Sequence, residues 1–160
     1  NVYYLNLSYN RIERLGNRLF LMNKNLETLD LSHNLIEHID HYAFEKNDKL
    51  ISLNLSYNRL IMFLNEYYMQ STSSNPICTL ILNNNQIKLY NMSIQISLNG
   101  EINLNNNYLD HYPEVLGLNS YFNFNLKLSI RNNQIKFIKK SYFSISRGLQ
   151  SLDFSKNNLD

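Results

Sequence analysis

Residues 26–36 read Leu26-Glu27-Thr28-Leu29-Asp30-Leu31-Ser32-His33-Asn34-Leu35-Ile36. Leu29 and Leu31 are one residue apart, the spacing that puts two side chains on one side of a pleated strand while Thr28 and Asp30 face the other way. Asn34 follows inside an apolar frame, three residues after Leu31 and two before Ile36. The same frame recurs on both sides. Upstream it is Val2, Leu5, Leu7, Asn10 and Ile12; downstream it is Leu50, Leu53, Leu55, Asn58 and Leu60, then Ile77, Leu80, Leu82, Asn85 and Ile87. A fifth copy keeps Ile102, Leu104, Asn107 and Leu109 but has Asn99 at the leading position. A sixth has Asn125 there, before Leu128, Ile130, Asn133 and Ile135. The seventh is complete, with Leu149, Leu152, Phe154, Asn157 and Leu159. Successive frame asparagines are 24, 24, 27, 22, 26 and 24 residues apart.

One such strand cannot bury its own apolar side, so neighbouring coils must stack and pool their leucines. The chain then bends inward, which buries backbone donors and acceptors. An Asn amide carries both donors and an acceptor to satisfy them; Leu has neither, and ionised Asp only accepts. This accounts for part of the composition, in which 28 of 160 residues are Asn and 27 are Leu. Seven Asn are scaffold, and the other 21 supply polar surface. The hydrophobic fraction of 44% argues against obligate disorder. A net charge of +2 gives no indication of nucleic acid or an anionic membrane as partner. The single cysteine, Cys78, excludes an internal disulfide and a paired-cysteine zinc site. The longest apolar run, Leu60 to Leu64, is too short to span a bilayer, so no direct membrane insertion of this segment is expected. No basic stretch followed by an apolar one opens the chain.

The frame L-x-x-L-x-L-x-x-N-x-L resembles the leucine-rich repeat family over nearly the whole chain. The second half of each coil is patterned too: Leu15 and Phe20, Ile39 and Phe44, Phe63 and Tyr68, and Ile138 and Phe143 follow their asparagines at matching offsets. With a period near 24 this is similar to the typical subclass of animal extracellular proteins such as Toll-like receptors and leucine-rich adhesion proteins. The Gly-x-Ile-Pro step of plant-type repeats is absent, and the period is short for the ribonuclease-inhibitor type. The resemblance implies an α/β (mostly β) solenoid, a curved parallel sheet of about seven coils with irregular or 3₁₀ turns on the convex side. Residues 1–160 are expected to be an uncapped run of coils from a longer array, since no capping unit is recognisable at either end. The implied role is non-catalytic: binding of a protein ligand on the concave face of a receptor or adhesion ectodomain, extracellular or at the cell surface. The alternative is a cytoplasmic scaffold or regulatory subunit built on the same repeats.

Two stretches depart from the frame. Gln70-Ser71-Thr72-Ser73-Ser74-Asn75-Pro76 adds three residues of turn-forming composition between the third and fourth coils. Lys88 to Gly100 is irregular, and Asn99 at a core register suggests local distortion.

Residues between and just after the strand leucines are expected on the concave sheet. The candidate binding residues are Tyr4, Asn6 and Tyr9 in the first coil, Thr28, Asp30 and His33 in the second, and Ser52, Asn54 and Tyr57 in the third, with Ser8, Ser32 and Ser56 between them. Tyr9, His33 and Tyr57 fall at one height on adjacent strands about 4.8 Å apart, which makes a contiguous aromatic strip. Tyrosine brings large contact area at low entropic cost. In later coils this column becomes Asn84, Asn106, Asn132 and Lys156. The last two coils are basic, but Lys127, Arg131 and Lys156 belong to the concave side, while Lys136, Lys139, Lys140 and Arg147 lie beyond the bend. That split weakens the case for a phosphate-tracking groove. The expected partner is therefore a protein ligand and not nucleic acid, with a second copy of the chain or neighbouring repeats as further partners.

Asn6-Leu7-Ser8 and Asn54-Leu55-Ser56 are sequons that the frame itself generates; Asn91-Met92-Ser93, on the far side of its coil, is the glycosylation candidate. His38-x-x-His41 with Asp40 superficially suggests a metal cluster, but no further ligand is apparent and no metal is expected. No Gly-rich phosphate loop, nucleophile elbow or paired-carboxylate arrangement occurs, so neither catalysis nor a cofactor is expected.

Overall fold

The structure, a computed structural model, describes residues 1–64, 77–92, 96–112, 114–115, 125–138 and 149–160. In chain order its strands are β1 (Tyr4–Asn6), β2 (Arg14–Leu15), β3 (Thr28–Asp30), β4 (His38–Ile39), β5 (Ser52–Asn54), β6 (Met62–Leu64), β7 (Ile77–Ile81), β8 (Leu89–Met92), β9 (Ile96–Asn103), β10 (Glu114–Val115), β11 (Leu126–Ser129) and β12 (Leu149–Asp153). One strand from each repeat enters a seven-stranded sheet ordered β1-β3-β5-β7-β9-β11-β12. Every pairing in it is parallel, and the register reproduces the sequence frame: Leu5, Leu29, Leu53, Leu80, Ile102, Leu128 and Leu152 are successive cross-strand partners. Leu29, Leu53, Leu80 and Ile102 are fully buried, as are Leu31, Leu55, Leu82 and Leu104 one pleat further on. Each such side chain contributes about 1.5–3 kcal/mol through burial.

The frame asparagines close the bends as their chemistry requires. Asn34 Nδ2 donates to the carbonyls of Leu7, Leu31 and Ser32, and its Oδ1 accepts from the Ile12 N–H at 3.0 Å. Asn58, Asn85, Asn107, Asn133 and Asn157 repeat this, accepting from Ile36, Leu60, Ile87, Leu109 and Ile135. A second buried amide, Asn47, escaped the sequence reading; its Nδ2 donates to the Phe20 and Asn23 carbonyls of the preceding coil, both at 3.0 Å.

The return side is more ordered than a run of irregular turns. Strands β2 and β4 pair in parallel, and β6, β8 and β10 form a three-stranded parallel sheet. The cause is the buried spacing Ile36–Ile39 and Leu60–Phe63, which stacks the return segments in step with the main sheet and brings their backbones within pairing reach. Among the described residues there is no α-helix and no 3₁₀ turn. Behind the strands, Phe20 and Phe44 stack with centroids 5.9 Å apart and planes 2° from parallel.

The two incomplete repeats are completed by displaced residues. Ile96 pairs with Ile77, and the buried Leu126 pairs with Leu149, so apolar residues other than Asn99 and Asn125 take the leading place. The register then shifts between Ile77 and Thr79 and again between Leu126 and Lys127. The distortion expected near Asn99 is this register shift within β9, at eight residues the longest strand among the described residues. The insertion at Gln70–Pro76, Tyr68 and Phe143 lie outside the described residues.

Candidate functional site

Among the described residues, five of the seven main-sheet strands end in a side-chain turn. Asn6 Oδ1 accepts from the Ser8 N–H at 2.8 Å, Asp30 Oδ1 from Ser32 at 2.9 Å and Asn54 Oδ1 from Ser56 at 3.1 Å; Asn103 and Asp153 do the same for Asn105 and Ser155. This is the Asx-turn habit of these side chains. Three of the candidate binding residues, Asn6, Asp30 and Asn54, therefore also shape the scaffold. The signal was readable in the Asx-Leu-Ser spelling of the first three coils. Ser32 and Ser56 are buried by these turns and are not part of the accessible face.

Three residues past the end of each main-sheet strand, one residue adopts the left-handed conformation. Tyr9, His33, Tyr57, Asn84, Asn106, Asn132 and Lys156 have φ between 53° and 58°, one per coil. The reversal drops the next residue, the frame Asn, into the core. Because all seven repeat it, their side chains form one column along the rim of the sheet.

In the first three coils that column is aromatic. Tyr9 and His33 stack with centroids 4.2 Å apart and planes 8° from parallel; His33 and Tyr57 stack at 4.2 Å and 10°. Both faces of the imidazole are covered. Tyr9 remains 76% exposed and Tyr57 49%, so the stack stands up as a ridge. Tyr4, 60% exposed, flanks it, and its hydroxyl accepts from Asn6 Nδ2 at 3.3 Å. Thr28, Asp30, Ser52 and Asn54 are half-buried on the sheet beside the ridge. All nine candidate residues thus lie on one face of coils one to three. In the next three coils the column becomes an amide ladder, with Asn106 Nδ2 donating to Asn84 Oδ1 at 2.9 Å and Asn132 Nδ2 to Asn106 Oδ1 at 2.8 Å.

A parallel sheet with one strand per repeat and an internal asparagine ladder is the geometry that the frame implied; the paired return strands add to it. The leucine rich repeat family model matches residues 1–60. Among solved structures, the crystal structure of a TLR13–ssRNA13 complex superposes on 98% of this chain with a TM-score of 0.67 and 22% sequence identity. The fold is that of a leucine-rich repeat solenoid. The chain spans 27% of the TLR13 chain that it matches. No curated protein matches it.

Elsewhere in the solenoid, the His38–Asp40 pair serves the scaffold. Asp40 Oδ1 accepts from Arg14 Nη2 at 2.6 Å and lies 3.2 Å from His38 Nε2, while Asp40 Oδ2 accepts from the Asn17 N–H. Among the described residues no group of three His, Cys, Asp or Glu side chains could hold a metal ion. Cys78 lies in β7 of the main sheet. Asn91 lies in β8 of the return sheet, away from the concave face. Lys139, Lys140 and Arg147 fall outside the described residues.

Proposed function

We propose that this solenoid is a non-catalytic recognition module, of the receptor or adhesion ectodomain kind, that binds a protein ligand on its concave face. It works outside the cell or at its surface, with Asn91 as a glycan acceptor. The observation that carries this reading is the Tyr9–His33–Tyr57 stack on left-handed backbone. A bulky residue there costs about 1–2 kcal/mol, and each ring pair returns about 0.5–1.5 kcal/mol. Coils four to six solve the same backbone problem with Asn, which tolerates it better. Folding alone therefore gives no reason for three exposed rings where three amides would serve. Rigid tyrosines among Ser, Thr and Asn are the composition of protein-binding surfaces. A preformed ridge also loses little entropy on binding.

Single-stranded RNA, the ligand in the TLR13 complex, is a second reading that Lys127, Arg131 and Lys156 favour. Against it, His33 has no free face for a base to stack on, and stacking is the usual source of single-strand affinity.

The test extends the protein's own amide ladder. The triple variant Tyr9→Asn, His33→Asn, Tyr57→Asn is expected to melt within about 5 °C of the parent. Peptides selected from a random displayed library against the parent are expected to bind the variant at least about tenfold more weakly. Selected peptides that bind both proteins equally would remove the ridge from the binding site.

A further inference from the structure

Among the described residues the concave sheet carries six charged side chains, and they are sorted. Coils one to five contribute Asp30 and Glu101, two acids and no base; coils six and seven contribute Lys127, Arg131 and Lys156 against the single acid Asp153. The Arg–carboxylate pairs among the described residues all lie on the return side: Arg14–Asp40, Arg18–Glu45 and Arg59–Glu37. None of the six concave charges is in an ion pair among the described residues. Glu101 and Lys127 are in register on neighbouring strands, so the change of sign falls between β9 and β11. Arg131 helps to hold Asp153 ionised.

We propose that the ligand is an extended polypeptide segment of mixed charge that crosses the coils, its basic part over coils one to five and its acidic part over coils six and seven. This deepens the protein-ligand reading and rests on it. Five strand spacings separate β3 from β12, about 24 Å, which about seven or eight extended residues cover. Unpaired charges of one sign at each end favour a ligand of opposite polarity and disfavour the reversed one. A uniform polyanion finds cations only at coils six and seven and meets Asp30 and Glu101 over the rest of the face.

Three fluorescent probes test this on the whole chain: a diblock peptide of four lysines, a four-residue Gly-Ser spacer and four glutamates; the lysine block alone; and an oligouridylate of ten nucleotides. The diblock is expected to bind about tenfold more tightly than the lysine block at 50 mM salt, and to weaken as salt rises. Asp30→Asn with Glu101→Gln should abolish binding of the lysine block; Asn at position 30 keeps the turn acceptor, as Asn6 and Asn54 do. Lys127→Gln, Arg131→Gln and Lys156→Asn together should bring the diblock down to the level of the lysine block. Tighter binding of the oligouridylate than of the diblock, lost in that second variant, would overturn the proposal in favour of a polyanion ligand. Diblock binding indifferent to both sets of substitutions would overturn it outright. The ridge is read out separately: diblock binding that survives Tyr9→Asn, His33→Asn, Tyr57→Asn but follows the charge variants refutes the ridge and keeps the charge sorting.

Discussion

Replacing Asn58 by Leu removes four hydrogen bonds at nearly constant shape. Asn58 Nδ2 donates to the carbonyls of Leu31 at 2.9 Å, Leu55 at 3.1 Å and Ser56 at 3.2 Å, and its Oδ1 accepts from the Ile36 N–H at 2.9 Å. The three carbonyls keep other donors: the Asn34 amide at 3.1 Å for Leu31, the Asn85 amide at 2.9 Å for Leu55 and the His33 N–H at 3.0 Å for Ser56. Ile36 is fully buried, and its N–H has no second acceptor among the described residues. One orphaned N–H costs about 1–3 kcal/mol, and the weakened carbonyls bring the total to about 2–4 kcal/mol. Asn10 supplies the control. It is exposed, its Nδ2 reaches only the Leu7 and Ser8 carbonyls of its own coil, and its Oδ1 accepts nothing among the described residues. Asn10→Leu should therefore cost about 1 kcal/mol or less. Urea denaturation of the two variants, with hydrogen exchange followed at the Ile36 amide, separates them. Equal midpoints, or unchanged Ile36 protection in Asn58→Leu, would refute the account of the ladder.

Two further outcomes follow from the fold. Phe44→Ala opens a space beside Phe20 in the buried return side and should cost about 3–5 kcal/mol by chemical denaturation, whereas Phe44→Leu should recover more than half of that. Asp153 is held below the usual carboxylate range, first by the Ser155 hydroxyl, then by the Ser155 N–H and by Arg131. A depressed folded value means that its stabilising effect is present above the unfolded value near 3.9 and is lost as pH falls through the folded one. Ser155→Ala should raise the midpoint of the Asp153 carboxyl titration followed by NMR, and an unmoved midpoint would show that Ser155 is not the cause.

The leucine register and the asparagine ladder were legible in the sequence because each obeys two constraints at once. Leu29 and Leu31 must share a pleat face and also meet their counterparts about 24 residues away. The ring stack was legible for the same reason, since Tyr9, His33 and Tyr57 keep equal spacing. Its left-handed backbone was written in the sequence less directly, as the Asn preceding the frame Asn in coils four to six. The register shifts before Glu101 and Lys127 were hidden because a fixed frame assigns Asn99 and Asn125 to places that the strand pairing gives to Ile96 and Leu126. The return sheets were hidden because strands of two to four residues are too short to carry a readable periodicity. Charge sorting needs the register, since Asp30 and Glu101 share no motif and meet only on the folded surface.

The asparagine ladder also has a direction in time. The bend after Ile12 is closed by Asn34, the one after Ile36 by Asn58, and so on to Ile135 and Asn157; the donor in one coil always waits for the amide of the next. On the ribosome, where the N-terminus emerges first, each new coil is unfinished until about 24 more residues have followed it. At every length the newest coil is therefore the one whose bend still lacks the amide that closes it.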